Sequence, residues 1–138
     1  MTLYAETSAV LRWLLGQPDG KAIRAELARA RRVVSSELTI VECERALVRL
    51  VGTAGAAERA GARALLAELS TRWTLVELDA AVRARAGQPF PIEPLRTLDA
   101  LHLATALELV HVLGPLRILS TDARIAANAQ ALGLAVVP

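Results

Sequence analysis

One cysteine, Cys43, is all that this chain of 138 residues carries, so no internal disulfide can form. With two histidines besides, a His/Cys zinc site has too few ligands, because His102 and His111 stand nine residues apart in one helical pattern and face opposite sides. No run of about 18 uncharged apolar residues exists, which excludes a membrane-spanning helix. The N-terminus lacks a basic region followed by an apolar signal core. Glu6 lies where that core would begin, and a soluble, cytoplasmic protein is expected.

Lysine is nearly absent too, and that removes several chemistries. Lys21 is the only one, too early for the late lysine of a phosphoacceptor receiver domain. Gly16 to Lys21 is one residue short of a phosphate loop, and Ala22 replaces its Ser/Thr. No Gly-x-Ser-x-Gly elbow occurs. An aspartate-nucleophile phosphatase would need Asp at the end of the first strand, where this chain has Glu6.

What is present is a globular composition, 54% hydrophobic and 22% charged, at a length that fits one domain over residues 1–138. Of the 16 basic residues all but Lys21 are arginine, and the formal charge is only +2. Arginine's planar fork suits phosphate, although genome composition would produce the same bias in so alanine-rich a chain.

Apolar runs and turn residues alternate in a regular order. Strands are expected at Leu3–Ala5, Arg32–Ser35, Trp73–Leu78, Arg117–Ser120 and Leu134–Val137. Between them, helices are expected at about 8–15, 21–30, 37–51, 57–69, 98–113 and 123–132, with a short one begun by Asp79 and a proline-rich loop at Gln88–Leu95. Such alternation predicts an α/β domain with a mainly parallel sheet covered on both faces. In these sheets functional groups gather at the carboxyl ends of the strands.

Four acids stand in apolar company: Glu6 after Leu3-Tyr4-Ala5, Glu42 within Leu38 to Cys43, Asp99 heading Ala100 to Ala104, and Asp122 after Ile118 to Thr121. A carboxylate so placed is costly unless donors or a cation answer it. Each has a plain structural reading. Glu42 pairs with Arg45 at the helix surface, Asp99 or Thr97 caps a helix, and Asp122 is an N-cap. Glu6 and Asp122 nonetheless follow strands directly and so fall on one rim. Two carboxylates about 4 Å apart at an effective dielectric near 20 repel by about 4 kcal/mol, so four together would protonate or recruit a cation. All-oxygen ligation favours Mg²⁺ or Mn²⁺. His102 reads as a structural residue packed beside Asp99.

Four segments in order resemble one known family. Tyr4-Ala5-Glu6-Thr7-Ser8-Ala9-Val10-Leu11 resembles the opening of PIN-domain ribonucleases, where aspartate normally stands at the position of Glu6. Leu38 to Leu47 is similar to the family's glutamate helix. Leu98-Asp99-Ala100-Leu101-His102-Leu103-Ala104 matches its Asp-Ala-x-His-Leu-Ala signature, and Ser120-Thr121-Asp122 with Ala127 to Leu134 its C-terminal block. The pattern looks most like the VapC toxins of toxin–antitoxin pairs.

The resemblance implies a five-stranded sheet of order 3-2-1-4-5 and a metal-dependent endoribonuclease. Glu6, Asp99 and Asp122 would ligate Mg²⁺ or Mn²⁺, Glu42 would complete the acidic site, and Ser8 and Ser120 would support it. RNA phosphate contacts are expected from Arg45, Arg12, Arg49 and the basic helix bearing Arg24, Arg29 and Arg31. It further implies a homodimer neutralised by a VapB-like antitoxin, which inserts a basic side chain among the acids, in an assembly bound to promoter DNA through that antitoxin. The alternative is a PIN-like module that binds RNA or antitoxin with weak or no cleavage, because Glu6 replaces aspartate.

Overall fold

The computed structural model describes residues 1–138, and its sheet is parallel throughout. In chain order the elements are β1 (Thr2–Ala5), α1 (Thr7–Leu14), α2 (Gly20–Arg29), β2 (Arg32–Ser36), α3 (Glu37–Arg49), α4 (Ala56–Arg72), β3 (Thr74–Val76), α5 (Ala80–Ala86), α6 (Thr97–Leu113), β4 (Leu116–Leu119), α7 (Ala123–Ala131) and β5 (Ala135–Val137). The strand order is β3-β2-β1-β4-β5, as the resemblance implied. Expected boundaries differ mainly by a residue or two. The third strand is shorter than Trp73–Leu78, because the Trp73 amide closes α4 onto Leu69 and Asp79 caps α5.

β1 lies at the centre, pairing Tyr4 with Val34 on one side and with Ile118 on the other. Its period of two sorts the core into layers. Tyr4, Val34 and Ile118 face α5, α6 and α7, meeting Val82, Leu103 and Ile125. Leu3, Ala5 and Leu119 face the opposite layer, where Ala9, Val10, Ile23, Cys43 and Leu66 come from α1 to α4. Burial on both faces explains why the strands read as continuous apolar runs. α6 buries eight residues, from Asp99 to Leu109, and so lies between sheet and neighbouring helices rather than on the surface. No helix is long and apolar enough to cross a membrane.

The loop entering α6 is fastened from a distance. Asn128 of α7, 1% exposed, accepts from the Ile92 amide at 2.9 Å and donates to the Ile92 carbonyl at 3.1 Å. Its second amide hydrogen reaches the Arg124 carbonyl at 3.2 Å. Glu93 adds bonds to the Phe90 and Leu95 amides, and Phe90 anchors in the core. These contacts fix the chain one to six residues ahead of Arg96, the N-cap residue of α6. Truncating Asn128 to alanine would strand both Ile92 groups, costing roughly 2 kcal/mol or more. Urea denaturation of Asn128→Ala should show that loss with an unchanged slope.

Candidate active site at the carboxyl rim

Tight strand-to-helix turns place the acids. Glu6 follows β1 directly, its amide continuing the ladder onto the Leu119 carbonyl at 3.0 Å. It is the N-cap residue of α1 but makes no capping bond, so its carboxylate is free to turn inward. Ser8 and Ser120 both donate to its Oε2, Ser120 at 2.7 Å. The serine hydroxyls in turn accept backbone hydrogens, Ser8 from Thr121 at 2.9 Å and Ser120 from Asp122 at 3.1 Å. One cradle thus joins the ends of β1 and β4. Glu6 is only 4% exposed.

Glu42 lies on α3, a helix capped by Ser36 accepting from the Leu38 amide at 3.0 Å. Its partner is not Arg45, which points to solvent. Glu42 Oε1 accepts from Thr7 Oγ1 at 2.8 Å and stands 2.6 Å from His102 Nε2. A carboxylate only accepts, so Nε2 carries the hydrogen. The other ring nitrogen, Nδ1, lies 2.8 Å from the Tyr4 hydroxyl. Burial first, then the charges of Glu6 and Glu42, hold the Tyr4 pKa well above its usual value, so that hydroxyl donates to Nδ1. His102 is therefore a buried bridge from Tyr4 to Glu42, and its bonds go to those residues and Thr7 rather than to Asp99. Burial raises the Glu42 pKa, but the His102 and Thr7 bonds and the Arg49 charge outweigh it and leave it lowered.

Asp99 and Asp122 face a different partner. The N-cap residue of α6 is Arg96, without a side-chain cap, so neither Thr97 nor Asp99 caps the helix. Arg96 Nε donates to Asp99 Oδ2 at 2.9 Å, and its terminal nitrogen reaches Asp99 Oδ1 at 3.4 Å and Asp122 Oδ2 at 3.3 Å. Asp122 does cap α7, but only through Oδ1, which accepts from the Arg124 and Ile125 amides at 2.9 and 3.0 Å. Capping and site geometry are compatible because the two oxygens divide the work. The bond and charge of Asp99, then the charges of Asp122 and Glu42, push the Arg96 pKa still higher.

Glu6 and Glu42 adjoin, since His102 Nε2, bonded to Glu42, is 4.0 Å from Glu6 Oε1, and Ser120, which donates to Glu6, also accepts from the Asp122 amide. Glu6, Glu42, Asp99 and Asp122 thus share the rim, with Ser8 and Ser120 beneath Glu6. As the side chains stand, no group of three His, Cys, Asp or Glu residues is disposed to hold a metal ion. The donors nonetheless suit a hard cation. All are carboxylate oxygens, and Asp99 and Asp122 already converge on one positive charge. Cys43 is no alternative nucleophile, since burial and then the nearby glutamates push its thiol up to about 12.

The other arginines are scattered. Arg12 is engaged with Asp19 at 2.5 Å and Arg29 with Glu26 at 3.3 Å. Arg24 and Arg31 line a groove of about 710 Å³ with Trp13, Trp73, Arg32 and Arg72, by the amino ends of β2 and β3. The acids are at the strands' other ends. Sequence reasoning missed Arg96, Thr7 and the bridging part of Tyr4 and His102. Only Arg96 left a local signal, a basic residue three positions before Asp99.

Comparison with known proteins identifies the family. The family model described as PIN domain matches residues 3–110. Ribonuclease VapC46 of Mycobacterium tuberculosis strain H37Rv is 38% identical over 135 residues, covering 98% of this chain and 95% of the relative. Ribonuclease VapC35 of the same species is 37% identical over 142 residues with the same coverage. Among solved structures, Mycobacterium tuberculosis VapC20, described as a Sarcin-Ricin loop cleaving toxin, superposes with a TM-score of 0.67 at 18% identity over 99% of both chains. FitAB bound to a DNA fragment gives 0.69 at 17% identity, covering 97% of this chain and 92% of the other. The two structures share the fold, and the full-length sequence relatives carry the rest: the chain belongs to the PIN-domain family as a VapC-type ribonuclease.

Proposed function

We propose that this ribonuclease is a Mg²⁺- or Mn²⁺-dependent endoribonuclease toxin that hydrolyses RNA phosphodiester bonds in the cytoplasm and is neutralised by a VapB-like antitoxin. The observation that carries the reading is the convergence of Asp99 and Asp122, from separate helices, on a single cation. Glu6, Asp99 and Asp122 would hold the divalent ion directly or through water. When bound, the ion would lower the pKa of a water and offset charge on the phosphoryl group. Ser8 and Ser120 fix Glu6 by occupying Oε2, leaving Oε1, 4.0 Å from His102 Nε2, outside those bonds. His102 and Thr7 fix Glu42 through Oε1 and keep it ionised at neutral pH.

An antitoxin partner, a homodimer and a promoter-bound assembly belong to the same reading. It draws support from the FitAB complex on DNA and from an apolar groove of about 330 Å³ including Leu14, Leu15, Leu50, Ala62 and Leu65.

A second reading rests on Glu6. One extra methylene moves the carboxylate by roughly 1.5 Å, and displacements near 1 Å can cost about a hundredfold in rate. The chain would then be an RNA- or antitoxin-binding module with muted cleavage. The serine cradle favours the active form, because it is built around the longer side chain.

Cleavage of a labelled RNA in Mn²⁺ tests both. Asp99→Asn should lose at least about a hundredfold in rate, and parent-level cleavage would contradict the active-site assignment. Glu6→Asp should stay within about tenfold of the parent, whereas a hundredfold gain would favour the muted module.

Glu42 also makes a pH prediction. Its folded-state pKa is lowered, so its stabilising contribution is complete above the ordinary value of 4.5 and disappears as pH falls through the lowered one. Thermal melts should show the parent losing stability more steeply than Glu42→Gln across that acid range. Parallel curves would refute the linkage.

A further inference from the structure

The positive charge between Asp99 and Asp122 belongs to the chain itself. Arg96 is fixed at its backbone by the start of α6, and its guanidinium contacts both oxygens of Asp99 and the free Oδ2 of Asp122. These are two of the three carboxylates assigned to the divalent ion. The Arg96 side chain is 62% exposed while that of Asp99 is 8% exposed. The acids are therefore held by the fold, and the arginine only by its tip.

A guanidinium has five donors and no acceptor, so it cannot act as a ligand. It also repels a divalent cation, and the two cannot occupy one gap. Exposed ion pairs are individually weak and the long side chain keeps other rotamers, so release from the acids is cheap. A released Arg96 remains tethered beside the gap, with its fork open to a phosphate oxygen.

We propose that Arg96 is a built-in occupant of the cation site: it holds Asp99 and Asp122 together before the divalent ion binds, is displaced by that ion, and then receives the RNA phosphate. This rests on the metal-dependent reading above. It makes metal affinity a property set partly from outside the ligand set.

Mn²⁺ binding to the full chain, followed by electron paramagnetic resonance of the free ion, separates the possibilities. Arg96→Gln should bind Mn²⁺ at least about fivefold more tightly than the parent. Arg96→Lys, which keeps a charge, should fall between, and Asp99→Asn should lose tenfold or more. In RNA cleavage at saturating Mn²⁺, Arg96→Gln should raise KM about tenfold. If Asp99→Asn binds Mn²⁺ as the parent does, the metal reading fails and takes this one with it. If Asp99→Asn loses binding while Arg96→Gln is unchanged or weaker, the displacement proposal alone is overturned. A test in the unaltered protein guards against variants that fold poorly. The Arg96 Nε–H resonance should move toward that of free arginine as Mg²⁺ saturates the site. A resonance that stays fixed while Mg²⁺ binds would overturn the proposal.

Discussion

Negative charge crowded at one rim of a parallel sheet must be answered, and the manner of answering organises this molecule. Two carboxylates about 4 Å apart repel by about 4 kcal/mol at an effective dielectric near 20, a large fraction of a small domain's net stability. Here each acid meets the problem with different partners. Glu6 takes two serine hydroxyls, Glu42 takes a histidine and a threonine, and Asp99 with Asp122 takes an arginine. The first two answers are buried or half-buried and specific. The third is exposed, and on the proposed metal-dependent reading it is where an incoming cation would meet least resistance.

The fold supplies these answers by bringing distant segments to one place. The central β1 sets Glu6 beside the end of β4, so Ser8 and Ser120 reach one carboxylate oxygen. The same strand carries Tyr4 toward α6, where His102 transmits its support to Glu42 on the opposite layer. His102 thereby couples the two helical layers over the carboxyl end of the central strand. Asn128 serves the site at one remove by fixing the loop from which Arg96 emerges.

The fold was largely legible in the sequence because it follows from local pattern. Continuous apolar runs marked strands buried on both faces, and the alternation with helices predicted the parallel sheet that is found. The rim positions of Glu6 and Asp122 were legible for the same reason, as residues directly after strands. Bonds between distant residues were not. His102 beside Glu42 joins positions 60 residues apart, and Thr7 beside Glu42 joins positions 35 apart. No periodicity encodes such pairs, so from its helix alone Glu42 read more readily as a surface partner of Arg45. Arg96 was overlooked because a lone arginine before a helix is ordinary until Asp122 is seen across from it.

Family membership fixes the class of chemistry, and the proposed displacement of Arg96 would decide when a metal ion can enter the rim. The most direct test is a crystal of this chain soaked in Mn²⁺ with anomalous diffraction recorded at the manganese edge. The account predicts a peak bonded to Asp99 and Asp122, with the Arg96 guanidinium withdrawn from both. A peak elsewhere, or an occupied site with Arg96 still bridging the two aspartates, would contradict it.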